Sequence, residues 1–408
     1  MKKYLSKLPD PIKIFIRKYP LRLLSILYSI PFIPLILIIF LIRSKILIRT
    51  GILYSDRIGH FAGNTELYLC ELKAGINKPD SKFIDLFFLS GKISNQQLYK
   101  MWKRKLIILP NFLLFPIYDL TYFLPNGHKN RVSGPSCADR DVHNLLDKYP
   151  ANLKFTKKEE QLGETILKSY GIEKNDKFIC LNVRDSAFLS NKNYNYHSYR
   201  DCSISNYKYA AEKLADLGFF VIRMGAKVNE KLLSNNDKII DYACDGKRSD
   251  FMDIFLGSRC YFSISTSTGW ENIPYIFRKP IVFAPVQPAN NFFTFSKKFI
   301  AIFKHHIIEE ENRKMTITEI FESDVFKSQT SNEFKEFGVR LDEPTKEEIW
   351  EVTKEMLFNL KNNFKQNNNK TFYQKKIIEN YTKYGNSNKI YHGEIKSMIG
   401  SKFIEQNF

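Results

Sequence analysis

Phe178-Ile179-Cys180-Leu181-Asn182-Val183-Arg184-Asp185 is an apolar run that ends in a charged pair. A strand buried on both faces reads this way, and such strands belong to parallel sheets covered by helices. Working outward, residues 219–224, 238–242, 261–265 and 280–284 repeat the pattern, and helical stretches at 206–217, 249–258 and 269–277 alternate with them. That alternation predicts a doubly wound, mostly parallel sheet over about 171–325. Toward the N-terminus, residues 46–49, 84–88 and 106–109 read as strands, and 61–73 and 95–104 as helices. Amphipathic helices are expected at 156–170, where the two regions join, and at 345–362. Residues 110–124 are apolar and aromatic without an assignable pattern. From residue 361 the chain is rich in Asn, Lys and Tyr, including Gln366-Asn367-Asn368-Asn369, and reads as loosely structured or surface-associated.

The expected organisation is a basic segment and membrane helix over 1–44, an N-terminal α/β lobe over 45–165, a C-terminal α/β lobe over 166–325, and a helix with a polar tail over 326–408. A chain of 408 residues with 44% apolar and 14% aromatic content suits two such cores. The net charge of +19 calls for an anionic partner. It is spread along the chain, with no zinc-finger spacing and no aromatic RNA-binding motif, so nucleic acid is not expected. Residues 23–42 form an uncharged, mostly apolar run of 20 residues, the length of a bilayer span. Basic residues flank it on both sides, and Pro31 and Pro34 interrupt it, so a single span and a kinked re-entrant helix both fit. Six cysteines without a CxxC pair point to a reducing compartment and to no metal site.

In open parallel sheets ligands bind beyond the C-terminal strand ends. After the first strand comes Tyr54-Ser55-Asp56-Arg57-Ile58-Gly59-His60. His60, near a helix start, is the candidate general base, with Asp56 beside it; a helix N-terminus favours neutral imidazole. Glu66, on that helix, reads as solvated surface. Arg184 suits two-pronged phosphate recognition, and Asp185 is a further catalytic candidate. The following loop holds His197, Arg200 and Asp201. Arg223, Gly225 and Lys227 follow the next strand, where Gly permits close approach and the cations supply charge. Ser267, Thr268 and Gly269 lie between a strand and a helix, an arrangement that seats a diphosphate, and Glu271 is placed to reach a ribose or a sugar hydroxyl. Asp139-Arg140-Asp141 has the outline of a carboxylate metal motif but is short, and no Walker A or GxGxxG sequence is present.

Taken together, Ile48-Arg49, the segment from Ser55 to His60, Val183-Arg184-Asp185, Tyr199-Arg200-Asp201, Val221 to Gly225, Ile240-Asp241-Tyr242, Ser249-Asp250 with Asp253, and Ser267 to Pro280 resemble a family of bacterial surface-polysaccharide glycosyltransferases. That family is itself similar to the two-lobed, GT-B heptosyltransferases. The resemblance covers about 45–290. It implies two Rossmann-like lobes, a nucleotide-sugar donor on the second, a glycan or lipid-linked acceptor, no metal and no other cofactor, and a place on the cytosolic face of the inner membrane. Where heptosyltransferases carry a catalytic Asp after Ile-Gly, this chain has His60. Asn182-Val183-Arg184-Asp185 is also similar to the His-x-Arg phosphate motif of fucosyltransferases, with Asn at the His position, which leaves the nucleotide open. A nucleotide-sugar epimerase of the same fold and a non-catalytic membrane scaffold are the two alternatives.

Overall fold

The computed structural model describes residues 28–188, 195–365, 371–386 and 391–408. The elements in chain order are α1 (Ile33–Leu41), β1 (Leu47–Leu53), α2 (Ile58–Lys73), β2 (Phe83–Leu89), α3 (Gln96–Lys103), β3 (Ile107–Ile108), α4 (Asn111–Leu120), α5 (Lys157–Ser169), β4 (Phe178–Asn182), α6 (Ser205–Asp216), β5 (Phe220–Met224), β6 (Ile239–Ile240), α7 (Asp250–Arg259), β7 (Ser263–Ser265), α8 (Asn272–Ile276), β8 (Ile281–Val286), β9 (Phe299–Phe303), β10 (His305–Ile308), β11 (Arg313–Lys314), α9 (Ile317–Glu322), α10 (Ser331–Glu336), β12 (Val339–Asp342), α11 (Lys346–Lys361), α12 (Phe372–Asn380), β13 (Met398–Ile399) and α13 (Ser401–Asn407).

The fold is α/β with two parallel sheets. The larger has the order β13-β9-β8-β7-β4-β5-β6, and the smaller β1-β2-β3. Every residue of β4, β5, β8 and β9 is buried, which is why these strands read as continuous apolar runs. A small antiparallel sheet, β11-β10-β12, follows the larger one. Helix ends use short polar side chains: Thr156, Thr316, Thr330 and Thr345 each close a reciprocal cap with a Glu three residues on. One apolar core runs from Phe61 and Trp102 beside the smaller sheet to Phe283 and Phe299 in the larger.

Two expectations change. The tail is built into the fold: β13 pairs in parallel with β9 as an edge strand, and His392, Ile399 and Ile404 are buried. Arg140 reaches it across the molecule, donating to the carbonyls of Tyr391 (2.9 Å) and Asn291 (3.0 Å). The Gln366–Asn369 part of the tail lies outside the described residues. The expected membrane run also begins outside them, at residues 23–27; from Tyr28 onward it continues as the helical residues Tyr28–Ser29, the tighter turn Ile30–Phe32 and the nine-residue α1. Pro31 and Pro34 sit in the first turns of the last two pieces, where a missing N–H costs least. Among the described residues no helix is long and apolar enough to cross a membrane. Instead Ile36 and Ile39 of α1 pack on Phe88, Leu114 and Ile117, so α1 and α4 together cover one face of the smaller sheet.

Candidate functional site

In the larger sheet the chain runs from β4 outward through β5 to β6, then crosses back to β7 and continues through β8 to β9. Strand order therefore reverses between β4 and β7, and their C-terminal ends diverge into a crevice. The Arg184 backbone N–H donates to Thr266 Oγ1 at 2.8 Å, and the Asn182 amide donates to Thr268 Oγ1, stitching the two loops together. The 195–202 segment folds back over them. Its Cys202 N–H donates to the Arg184 carbonyl (2.8 Å), Asp201 pairs with Arg184 Nε (3.1 Å), and Arg200 donates to the Ser267 carbonyl. Ser267 holds a left-handed backbone (φ 57°) that turns its carbonyl toward Arg200. Arg184 Nη2 and Arg200 Nε are buried with no hydrogen-bond partner among the described residues. Buried donors left over in this way are costly unless something else accepts from them. His197 lies among these groups: burial lowers its pKa first, and Arg200, Arg184 and Arg57 lower it further against Asp201.

Arg57 comes from the opposite side. It is the N-cap residue of the 16-residue α2, and no side chain caps that end. The first turn of α2 meets the Ser267–Gly269 loop because both sides lack side chains there. A Cβ on Gly59 would lie 3.0 Å from the Gly269 carbonyl oxygen and 3.1 Å from the Asn272 amide; one on Gly63 would lie 2.5 Å from Asn272 Oδ1. His60 is half-buried beside this contact, with Nδ1 3.3 Å from Asn64 Oδ1 and its ring 6.4 Å from that of Tyr54. Asp56 is exposed on the same loop and accepts from Ser90 Oγ at 3.1 Å. The crevice thus presents a helix N-terminus, three guanidinium groups and two imidazoles, a set matched to a polyanion.

Several residues expected at the site are turned elsewhere. Arg223 is fully buried: its guanidinium pairs with Asp241 (3.2 Å) and donates to the Glu230 carbonyl (2.8 Å), which holds the 230–241 loop against β5 and offers no charge to a ligand. Gly225 is glycine for packing, since a Cβ there would lie 2.6 Å from Val228. Lys227 is exposed on the adjoining loop. Both Asp185 carboxylate oxygens accept backbone N–H groups, from Ala187 (2.9 Å) and Asn229 (2.6 Å), so this side chain positions two loops. Glu271 is buried, accepts from Ser265 Oγ and the Thr268 N–H at 2.8 Å each, and its pKa is pushed up by burial to about 8. It braces the Ser265–Gly269 loop and does not extend to a ligand. The helix expected from 269 begins only at Asn272 and has five residues, so its dipole gives Ser267–Gly269 little.

Sequence reasoning undervalued Arg57 and Arg200. Each was visible beside an Asp, in Ser55-Asp56-Arg57 and Arg200-Asp201, but an isolated Arg reads as surface charge; the fold draws Arg200 onto the Ser267 carbonyl and leaves Arg57 exposed, within reach of His197 electrostatically. Glu66, expected on the surface, is fully buried; its Oε1 pairs with Arg278 (2.6 Å) and accepts from the Asn152 N–H (3.1 Å). The carboxylates of Asp139-Arg140-Asp141 are also structural: Asp141 accepts from the N–H groups of Leu145 and Leu146 at 2.8 Å each, and Asp139 lies 3.4 Å from the Asn272 amide.

No family model and no curated protein matches this chain. Among solved structures it is similar to a glycosyl transferase of family 9 from Veillonella parvula, at 11% identity over 64% of this chain and 86% of that one, with a TM-score of 0.41. It is also similar to ADP-heptose lipopolysaccharide heptosyltransferase II of E. coli (12% identity, 62% and 90% of the two chains, TM-score 0.37). A third is the S. aureus MnaA–UDP structure (13% identity, 77% and 97%, TM-score 0.26).

Proposed function

We propose that the chain is a metal-independent glycosyltransferase of GT-B-like architecture. It moves a sugar from a nucleotide-sugar to a glycan or lipid-linked acceptor in cell-surface polysaccharide synthesis, at the cytosolic face of the inner membrane. The observation that supports this reading most is the convergence of Arg184, Arg200 and Arg57 at the strand-order reversal, with two buried guanidinium nitrogens left for a ligand to satisfy. A nucleoside diphosphate leaving group carries the matching charge at the point where it develops in the transition state. Arg184 and Arg200 hold the diphosphate in fixed directions, because a second nitrogen of each is engaged, Arg184 Nε by Asp201 and Arg200 Nη2 by the Ser267 carbonyl. Ser267, Thr268 and Gly269 shape the seat.

The acceptor approaches from the smaller sheet, past Tyr54, Asp56 and His60. In the tautomer whose Nδ1–H donates to Asn64 Oδ1, His60 has its lone pair on Nε2, the nitrogen that takes the proton from an acceptor hydroxyl. Asp56 is the second candidate for that role.

The test is turnover with a panel of nucleotide-sugars and a membrane extract as acceptor source, in EDTA. Sugar transfer that persists in EDTA supports the proposal. Activity that vanishes in EDTA and returns with manganese contradicts the metal-independent step. Conversion of the nucleotide-sugar without acceptor would make the chain an epimerase.

A further inference from the structure

Nine helical residues rise about 14 Å, less than half the roughly 30 Å of a hydrocarbon core. Alone, α1 is too short to span a bilayer, and much of its apolar surface is uncovered: Leu37 is 54% exposed, Ile38 53% and Leu41 80%. α4 and the turn after it, Thr121–Phe123, show the same fault, with Phe112 65%, Tyr122 71% and Phe123 58% exposed. These are not scattered residues. The Tyr28 hydroxyl donates to the Phe112 carbonyl (2.8 Å), Arg43 reaches the Asn126 carbonyl (3.4 Å), and the inward faces of α1 and α4 share one apolar cluster. Two helices fixed side by side thus both present exposed apolar side chains, and clustered apolar exposure of this kind marks an interaction surface.

We propose that α1, α4 and Thr121–Phe123 form an in-plane docking surface for an anionic lipid leaflet, so that the smaller sheet sits on the membrane without the described helices crossing it. The charge around the face selects this occupant. Residues 28–48 and 105–131 contain Arg43, Lys45, Lys105, Lys129 and Arg131 but a single acid, Asp119. Arg131 stacks on the rings of Tyr118 and Tyr122, 4.1 and 5.3 Å from their centroids, and donates to Thr121 Oγ1 and the Tyr118 and Asp119 carbonyls, which fixes the Thr121–Phe123 turn in place. A second copy of this chain would meet the basic rim with its own, whereas anionic headgroups neutralise it. Residues 1–22 add to the same sign, with Lys and Arg outnumbering Asp10. The surface accounts for the membrane association proposed above, and it stands independently of the transfer reaction.

The experiment is vesicle co-sedimentation of the full chain with phosphatidylcholine alone and with phosphatidylcholine containing phosphatidylglycerol. Wild type is expected to partition at least tenfold better into the anionic vesicles. The triple variant Phe112→Asp/Tyr122→Asp/Phe123→Asp is expected to lose at least tenfold in partitioning while keeping its melting temperature, since all three side chains are exposed. Leu37→Asp/Leu41→Asp, on the other helix, is expected to lose a similar factor. As a control, Phe337→Asp, an exposed apolar residue outside this surface, leaves partitioning unchanged. Either multiple variant sedimenting like wild type would overturn the proposal. So would equal partitioning into both vesicles, or a wild-type dimer in solution that these substitutions dissociate without changing vesicle binding.

Discussion

In the seven-stranded sheet five strands are buried along their whole length; in the three-stranded sheet β2 has two buried residues, Phe87 and Phe88, and β3 has none. The larger sheet therefore has enough covered area to hold itself. The smaller one borrows: one face leans on α1 and α4, and its other helices are tied across to the larger lobe. Arg278 pairs with Glu66, the Asn95 amide donates to the Asp250 carbonyl (2.9 Å), and Gln97 donates to Glu159 (2.7 Å). The difference teaches why the crevice has two unlike walls. The larger sheet offers a rigid loop pair, and the smaller brings a helix end held against it by polar contacts and by paired glycines.

If the smaller lobe borrows its stability, removing its deepest tie has the largest effect. Arg278→Ala leaves the fully buried Glu66 carboxylate without its partner, and the expected loss is about 3–5 kcal/mol by urea unfolding. A loss under about 1 kcal/mol would mean that the two lobes stand separately.

On the larger wall the sharpest probe is pH. The Glu271 carboxyl is raised from 4.5 to about 8 by burial, so the folded state holds its proton more tightly than the unfolded chain. Its stabilising contribution is complete below about pH 4.5, declines as pH rises, and is gone above about pH 8, a change on the order of a few kcal/mol. Glu271→Gln keeps an acceptor for Ser265 and Thr268 but does not titrate. Denaturant midpoints at pH 5, 7 and 9 are therefore expected to fall less in the variant; equal slopes would show that Glu271 is not the group responsible.

His60→Ala tests the smaller wall as the catalytic one. Turnover is expected to drop about 100-fold with donor affinity little changed. Normal turnover would remove the base role from His60 and leave Asp56. The smallest effect concerns the seam. Gly63→Ala puts a methyl group 2.5 Å from Asn272 Oδ1 and 2.8 Å from Asp139 Cβ, and is expected to cost about 1–2 kcal/mol in thermal unfolding. An unchanged melting temperature would show that the seam yields freely.

How much of this was legible depends on whether a residue's partner is near in sequence. A strand buried on both faces, such as Phe178–Asn182, stands out because no polar residue interrupts it until its last position; Phe220–Met224 does so despite Arg223, which Asp241 neutralises. Arg184 and Ser267–Gly269 follow from the same logic, since loops after such strands face the crevice. β13 was not legible: two residues in an Asn- and Lys-rich tail carry no period, and only docking on β9 makes them a strand. Nor was the fate of individual charges. Arg223 and Glu271 looked like ligand groups, yet Asp241 lies 18 residues from the first, and the second turns back onto Ser265. Arg57 and Arg200 lie far apart in sequence, and only the fold brings both to bear on His197. Residues 110–124 resisted assignment because Pro116 interrupts α4, whose period is clear only where Leu114 and Ile117 face inward.

The central claim is that the crevice between β4 and β7 seats a diphosphate on Arg184 and Arg200. It is tested most directly by titrating ADP, UDP, GDP, CDP and TDP into the full chain by calorimetry, alongside Arg184→Ala, Arg200→Ala and Lys227→Ala. The account predicts that at least one nucleotide binds wild type. Arg184→Ala and Arg200→Ala should each weaken it by roughly 30- to 1000-fold, the loss of one charged contact of about 2–4 kcal/mol, while Lys227→Ala leaves it unchanged. Binding by none of the five nucleotides, or equal binding by wild type and both arginine variants, would contradict it.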